Sequence, residues 1–166
     1  MPVPILDAHD FFLRGYVRDD FADFAALMSD PQVTLHTGGP MPVASIARLF
    51  ESFLVCEMNG PLQSWAVVHR VRQEYLGHAA ISESSHASER EMFIALFPRF
   101  WRKGSGRQIG SCLIDVTRKH NPGVRLTATV DPDHEAAVRL LEKLGMRIDR
   151  WEQDAHGRYP VYAIVC

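Results

Sequence analysis

The sequence predicts a mixed α/β domain of about seven strands and four helices, in the order β-α-α-β-β-β-α-β-α-β-β. Three observations carry this. Two amphipathic stretches of helical period lie in the first third of the chain. Short period-two runs follow them, together with one continuously apolar run, Met92-Phe93-Ile94-Ala95-Leu96-Phe97. Beyond that run, helical and strand patterns alternate to the end of the chain.

In chain order, Phe12 to Arg18 reads as a first strand, and Asp19 or Asp20 caps a helix with Phe21, Phe24, Ala25 and Met28 on one face. Ser29-Asp30-Pro31 ends that helix, and His36-Thr37-Gly38-Gly39-Pro40 is a loop because glycine and proline resist regular structure. The second helix carries Ile46, Leu49, Phe50 and Phe53 and stops by Asn59-Gly60-Pro61. Ser64–His69 and Tyr75–Ile81 form a predicted hairpin, Ser82–Arg90 a polar loop, and Met92–Phe97 a central strand covered on both faces. The third helix packs through Ile109, Cys112, Leu113 and Val116, and ends on Arg118-Lys119-His120, which suit the negative end of its dipole. Gly110 is expected to pack under the adjacent strand. Val124–Val130 alternates as a strand, and Asp131-Pro132 opens a last helix with the stripe Ala137, Leu140, Leu141 and Leu144. Closing strands are predicted at Met146–Trp151 and Tyr159–Val165.

Composition narrows the function classes. The 166 residues are 46% hydrophobic and 23% charged, enough for a substantial core, and residues 1–166 are read as one domain. A formal charge of −2 argues against a general nucleic-acid binder or a basic membrane-surface protein. Cys56, Cys112 and Cys166 have neither metal nor redox spacing, and no His pairs with another His or Cys as zinc ligands do. There is no apolar run of about 18 residues, and Met1 to Asp7 lack the pattern of a leader, so a cytoplasmic location is expected.

The segment that carries chemistry runs from Pro98 to Gly110. An apolar strand enters a turn containing Gly104 and Gly106, and the turn opens a helix. Glycines permit close backbone approach, and a helix start offers free N–H groups at the positive end of its dipole. Arg99, Arg102, Lys103 and Arg107 surround the turn with cations in a mildly acidic chain, a combination suited to phosphate groups. The segment does not match Gly-x-x-x-x-Gly-Lys-Ser/Thr, and its third glycine comes one residue late for Gly-x-Gly-x-x-Gly.

Trp101-Arg102-Lys103-Gly104-Ser105-Gly106 resembles the acetyl-CoA pyrophosphate loop of the GNAT N-acetyltransferases, Gln/Arg-x-x-Gly-x-Gly/Ala, with Trp101 as in the ribosomal-protein N-terminal (alanine) acetyltransferase-like branch. Leu13-Arg14 with Asp20, Asp30-Pro31-Gln32-Val33 with Gly38-Gly39-Pro40, Gly77-His78-Ala79, and Glu91 through Gly106 resemble further segments of that branch in the same order. Val130 to Met146, containing Glu142-Lys143-Leu144-Gly145, resembles its Asn-x-x-Ser…Glu-Lys-Leu-Gly-Phe segment.

This resemblance implies the GNAT fold, a mixed and mostly antiparallel central sheet flanked by four helices. It implies acetyl-CoA as co-substrate without a metal, and an amine acceptor. The partners expected are acetyl-CoA and that amine, with neither nucleic acid nor membrane, in a monomer or homodimer. Backbone N–H groups from Arg102, Lys103, Gly104, Ser105, Gly106 and Arg107 are expected to hold the pyrophosphate. Ala95, Leu96 and Phe97 are expected to offer backbone groups to the pantetheine arm, with His134 contacting it. Glu91 or Glu83, near the expected acceptor entry, is the candidate general base. Four positions depart from the family pattern: His134 for the usual Asn, Ala137 for Ser, Leu141 for a Tyr that protonates the departing thiolate in many members, and Met146 for Phe. The leading reading is acetyl transfer to a primary amine by direct attack in a ternary complex, because no cysteine sits in the context of an activated nucleophile. A CoA-binding or interaction module without catalysis competes with it, as does acyl transfer to a non-amine or from a longer acyl donor.

Overall fold

The computed structural model describes all 166 residues. Eight strands form one sheet: β1 (Leu6–Ala8), β2 (Phe11–Arg14), β3 (Leu62–His69), β4 (Tyr75–Glu83), β5 (Glu89–Leu96), β6 (Arg125–Thr129), β7 (Arg147–Asp154) and β8 (Gly157–Val165). The four helices are α1 (Phe21–Ser29), α2 (Val43–Phe53), α3 (Ser105–His120) and α4 (Glu135–Lys143). The strand order is β1-β2-β3-β4-β5-β6-β8-β7, and every neighbouring pair is antiparallel except β5–β6. No helix is long and apolar enough to cross a membrane.

Side-chain alternation along the strands supplies each sheet face with its own apolar layer. Trp65, Ala79, Ile81, Met92 and Leu126 meet Ile109, Leu113 and Val116 of α3. On the opposite face, Ala66, Val68, Tyr75 and Ala95 meet Phe24 of α1 and Ile46, Phe50 and Phe53 of α2.

Several elements differ from expectation for definable reasons. The three-residue β1 is too short to show a period, which makes eight strands rather than about seven. The first predicted strand, Phe12–Arg18, is Phe11–Arg14; past it, Tyr16 leaves the sheet and stacks on Phe53 at 5.0 Å. Only the middle of the polar run Ser82–Arg90, Ser84–Ser88, is loop; its two ends are strand, because backbone pairing carries the hairpin to Glu83↔Arg90. Gly110 sits under Leu144, the residue that ends α4, rather than under a strand, and Gly106 sits under Leu140. In the predicted stripe of α4 only Leu141 is fully buried, and Phe93 of β5 is 37% exposed where cover on both faces was expected.

The exposure of Phe93 follows from the sheet's central irregularity. β5 pairs with β4 from Arg90 to Leu96, but with β6 only over Glu89–Glu91 opposite Arg125–Thr127. β6 ends at Thr129, and Pro132, which has no N–H to extend a ladder, turns the chain toward α4. The stretch Met92–Leu96 therefore runs on with no strand along its β6 side. The two strands diverge as a fork, with α1 and α2 over one half and α4 beside the other.

Candidate functional site

At the C-terminal end of β5 the chain turns through Pro98–Phe100 and Trp101–Gly104 into α3. Gly104 caps the helix at φ +79 with nothing within 4 Å of where a side chain would begin, and Arg102 is also left-handed at φ +59. These left-handed residues curl successive amides toward one side. The first hydrogen bond of α3 runs from Gln108 N to Gly104 O at 3.2 Å, and the backbone N–H groups from Arg102 to Arg107 have no protein acceptor. Arg102, Lys103 and Arg107 have no carboxylate partner. Arg99 differs from them: it is 3.2 Å from Glu74 and lies over the rings of Phe97 and Phe100. Three cations are thus unspent beside a row of free amides, and the fourth is consumed.

The fork continues from this turn. Backbone groups of successive strand residues point to alternate sides. The Arg90 carbonyl accepts Thr127 Oγ1 at 3.1 Å, on the β6 side. The Ala95 carbonyl lies against Gly77 of β4, where any Cβ would overlap it, and Phe97 donates its amide to Leu76 O at 3.0 Å. The expected trio of Ala95, Leu96 and Phe97 therefore reduces to Leu96, since Ala95 faces β4 and Phe97 spends its amide on β4 and its carbonyl on the Phe100 amide. By the same alternation Ile94, which sequence reasoning missed, shares the gap-facing side with Leu96. The Leu96 carbonyl also accepts the Trp101 indole N–H at 2.7 Å, which pins the first residue of the turn onto the strand.

Glu91 stands where the fork opens. Its Oε1 accepts Thr129 Oγ1 at 2.8 Å, a bond between the two diverging strands. The register pairs Glu91 with Ser82 and Glu83 with Arg90, so the two carboxylates project from opposite faces of the sheet. Glu91 shares the face of His78, Phe93 and Ala95, the face roofed by α1 and α2.

Two polar clusters stand on this same face, and neither has a local sequence signal. The first is buried. The Tyr16 hydroxyl is 2.9 Å from both Tyr75 Oη and His78 Nδ1, and His78 packs among Phe24, Phe53 and Phe93. Burial pushes the His78 imidazole down to about 3, and burial with the neighbouring Tyr75 pushes the Tyr16 phenol well up. The second lies at the rim. His36, in the loop between α1 and α2, holds Asp131 Oδ2 through Nδ1 at 2.9 Å, and its ring stacks on His134 at 4.3 Å and 14°. Asp131 Oδ1 accepts the Asp133 amide at 2.9 Å; its hydrogen bonds, led by the one to His36, hold the carboxyl below its usual range. Partial burial, then the adjacent His36, lowers His134 and favours its neutral form. The side chain of His134 has no hydrogen-bond partner of its own.

The cysteines lie apart from one another. Cys56 is within 3.4 Å of Ser52 O and Ser64 Oγ, Cys112 donates to Asp7 O at 2.9 Å, and Cys166 is the last residue. Burial raises all three thiols, the opposite of what an activated nucleophile needs.

Residues 10–147 match the model of the acetyltransferase (GNAT) domain, and the chain belongs to this family of acetyltransferases. It is 24% identical over 150 residues to the uncharacterized N-acetyltransferase YoaA of Bacillus subtilis, a match covering 87% of this chain and 83% of that one. Its fold matches a ribosomal-protein alanine acetyltransferase from Vibrio fischeri, with TM-score 0.81, 13% identity and coverage of 98% and 97% of the two chains. It likewise matches spermidine N-acetyltransferase from Vibrio cholerae, solved with CoA and spermine, with TM-score 0.80, 15% identity and coverage of 94% and 95%. GNAT enzymes use acetyl-CoA. The residues present fit it: free amides and unpaired cations suit a pyrophosphate, and an open strand edge suits an extended arm carrying amides of its own.

Proposed function

We propose that the protein transfers the acetyl group of acetyl-CoA to a primary amine, on a protein N-terminus or a small molecule, by direct attack in a ternary complex. The observation that carries this reading is the junction of two unspent binding surfaces, the amide row of Arg102–Arg107 and the unpaired edge of β5. Acetyl-CoA supplies an acetyl group already activated as a thioester. The chain holds its phosphates on Arg102, Lys103, Gly104, Ser105, Gly106 and Arg107, and its arm beside Ile94 and Leu96, with His134 opposite. The Leu96 amide is the donor for a carbonyl oxygen gaining charge. Glu91 takes the proton of the amine, directly or through water, on the face enclosed by α1 and α2; Glu83, on the other face, is the weaker choice. Raised thiols at Cys56, Cys112 and Cys166 support direct transfer over a cysteine-bound acetyl group. Glu91 takes the first proton, as the protonated amine becomes the nucleophile; because Ala137 and Leu141 lack an acidic proton, the second, carried on the ammonium nitrogen of the tetrahedral adduct, passes directly or through water to the thiolate as the C–S bond breaks.

Gly104→Glu tests the binding site, because it adds a side chain and a negative charge where phosphates must approach. Calorimetry should show CoA binding to the wild type and none to the variant, with the circular dichroism spectrum unchanged. Wild-type affinity in the variant would refute the assignment. CoA release should accompany incubation of the wild type with acetyl-CoA and a broad amine panel; binding without any release would instead support a non-catalytic module.

A further inference from the structure

The loop from Asp30 to Pro42 is built from its own hydrogen bonds. Thr34 O accepts the amides of Thr37 and Gly39 at 3.0 and 2.9 Å, Asp30 O accepts the Thr34 amide at 3.1 Å, and Asp30 Oδ1 accepts that of Gln32 at 2.8 Å. At its base the Met41 amide bonds to Met28 O at 3.0 Å. Beyond α1 and α2, its hydrogen-bonded link to the rest of the protein is a single side chain, His36, reaching Asp131 across the fork. The contact therefore joins the half of the molecule under α1 and α2 to the half bearing β6 and α4.

The order in which these groups hold one another is definite. The Asp133 amide and His36 Nδ1 orient the two oxygens of Asp131. Asp131 in turn fixes the plane of the His36 ring, and that ring provides the stacking surface for His134. His134 has no hydrogen bond of its own, so nothing else sets the orientation of its imidazole except packing at the start of α4. A ring held flat by a neighbour, with both nitrogens uncommitted, is prepared to meet a ligand at the cost of little side-chain entropy.

We propose that His36 is a positioning residue for the cofactor site: tethered to Asp131 and stacked on His134, it fixes the His134 imidazole toward the gap beside β5 and clasps the α1–α2 loop over it. The inference rests on the reading of this gap as the acetyl-CoA site. It assigns the loop a part in cofactor binding, and it makes the two histidines one functional unit although they lie on different halves of the fold.

A double-mutant cycle on CoA affinity, measured by calorimetry on the full chain, tests it. His134→Ala and His36→Ala should each weaken CoA binding several-fold, and the double variant should be no weaker than either single one, because each removes the same oriented ring. His36→Phe keeps the stacking surface but loses the tether, and should recover part of the affinity lost in His36→Ala. In steady state, if turnover is found, His36→Ala should raise KM for acetyl-CoA far more than it lowers kcat. Wild-type affinity in His134→Ala or in His36→Ala, or fully multiplicative losses in the double variant, would overturn the clasp. If His36→Ala does not fold, His36→Phe in place of it closes the same cycle with His134→Ala, and multiplicative losses again overturn the proposal. A wild-type protein that binds no CoA would sink the reading of the gap and this inference with it; CoA binding without coupling would sink only the inference.

Discussion

Glu91 is held by one side-chain hydrogen bond, to Thr129, on a strand that has just lost its neighbour on that side. This position leaves one carboxylate oxygen for an incoming group. Replacement by Gln keeps the size and the bond to Thr129 but removes the ability to accept a proton. Glu91→Gln should lower kcat by about a hundredfold, the lower range for general base catalysis. The measurement is steady-state CoA release at saturating acetyl-CoA with whichever amine the panel identifies. An unchanged kcat would remove Glu91 as the base and leave direct transfer standing. Glu83→Gln serves as the control, since that side chain projects from the other face and its replacement should leave the rate within about twofold. The residues of the cationic glycine turn before α3 are legible from sequence for a local reason. Charge, left-handed glycine and helix start occupy consecutive positions from Arg99 to Arg107, so no long-range contact is needed to bring them together. Arg99 shows where that reasoning fails: Glu74, distant along the chain, neutralises it.

At the scale of elements, the fork depends on how β4 holds β5. Gly77 lets the Ala95 carbonyl approach so closely that a Cβ would collide with backbone on both Ala95 and Leu96. A methyl group there cannot be accommodated by rotating a side chain, so the strands must part or slip. Gly77→Ala should cost about 3 kcal/mol, at the top of the range for overpacking, and should also weaken CoA binding by disturbing the presentation of Leu96. Gly38→Ala provides the comparison. It adds a methyl group in open space at φ +96, and only the backbone preference opposes it, about 1–2 kcal/mol. Urea unfolding of the two variants should separate them clearly; equal losses would show that close approach at Gly77 is not the constraint.

The molecule as a whole carries a pH dependence that originates in its core. His78 is neutral in the folded state, its imidazole pushed down to about 3 by burial, whereas an exposed histidine in the unfolded chain titrates near 6.5. Between these values the unfolded chain takes up a proton that the folded protein refuses. Stability is therefore fully present above about pH 6.5 and falls with decreasing pH by about 1.4 kcal/mol per unit through this group. Urea midpoints measured from pH 7.5 to pH 5 should show that slope in the wild type and a shallower one in His78→Phe. Equal slopes would mean that His78 is not held neutral. The sequence alone determined the succession of helices and strands from β2 onward, the apolar face of most of them, and the cationic glycine turn into α3, because periodicity and turn chemistry act between near neighbours along the chain. Strand order and register decided the rest. They set which backbone groups of β5 face the gap, which of Glu83 and Glu91 shares the face of α1 and α2, and the meetings of Tyr16 with His78 and of His36 with Asp131, which lie 62 and 95 residues apart. A repeating pattern states that a residue faces inward or outward; only the packing of one element on another states what it meets there.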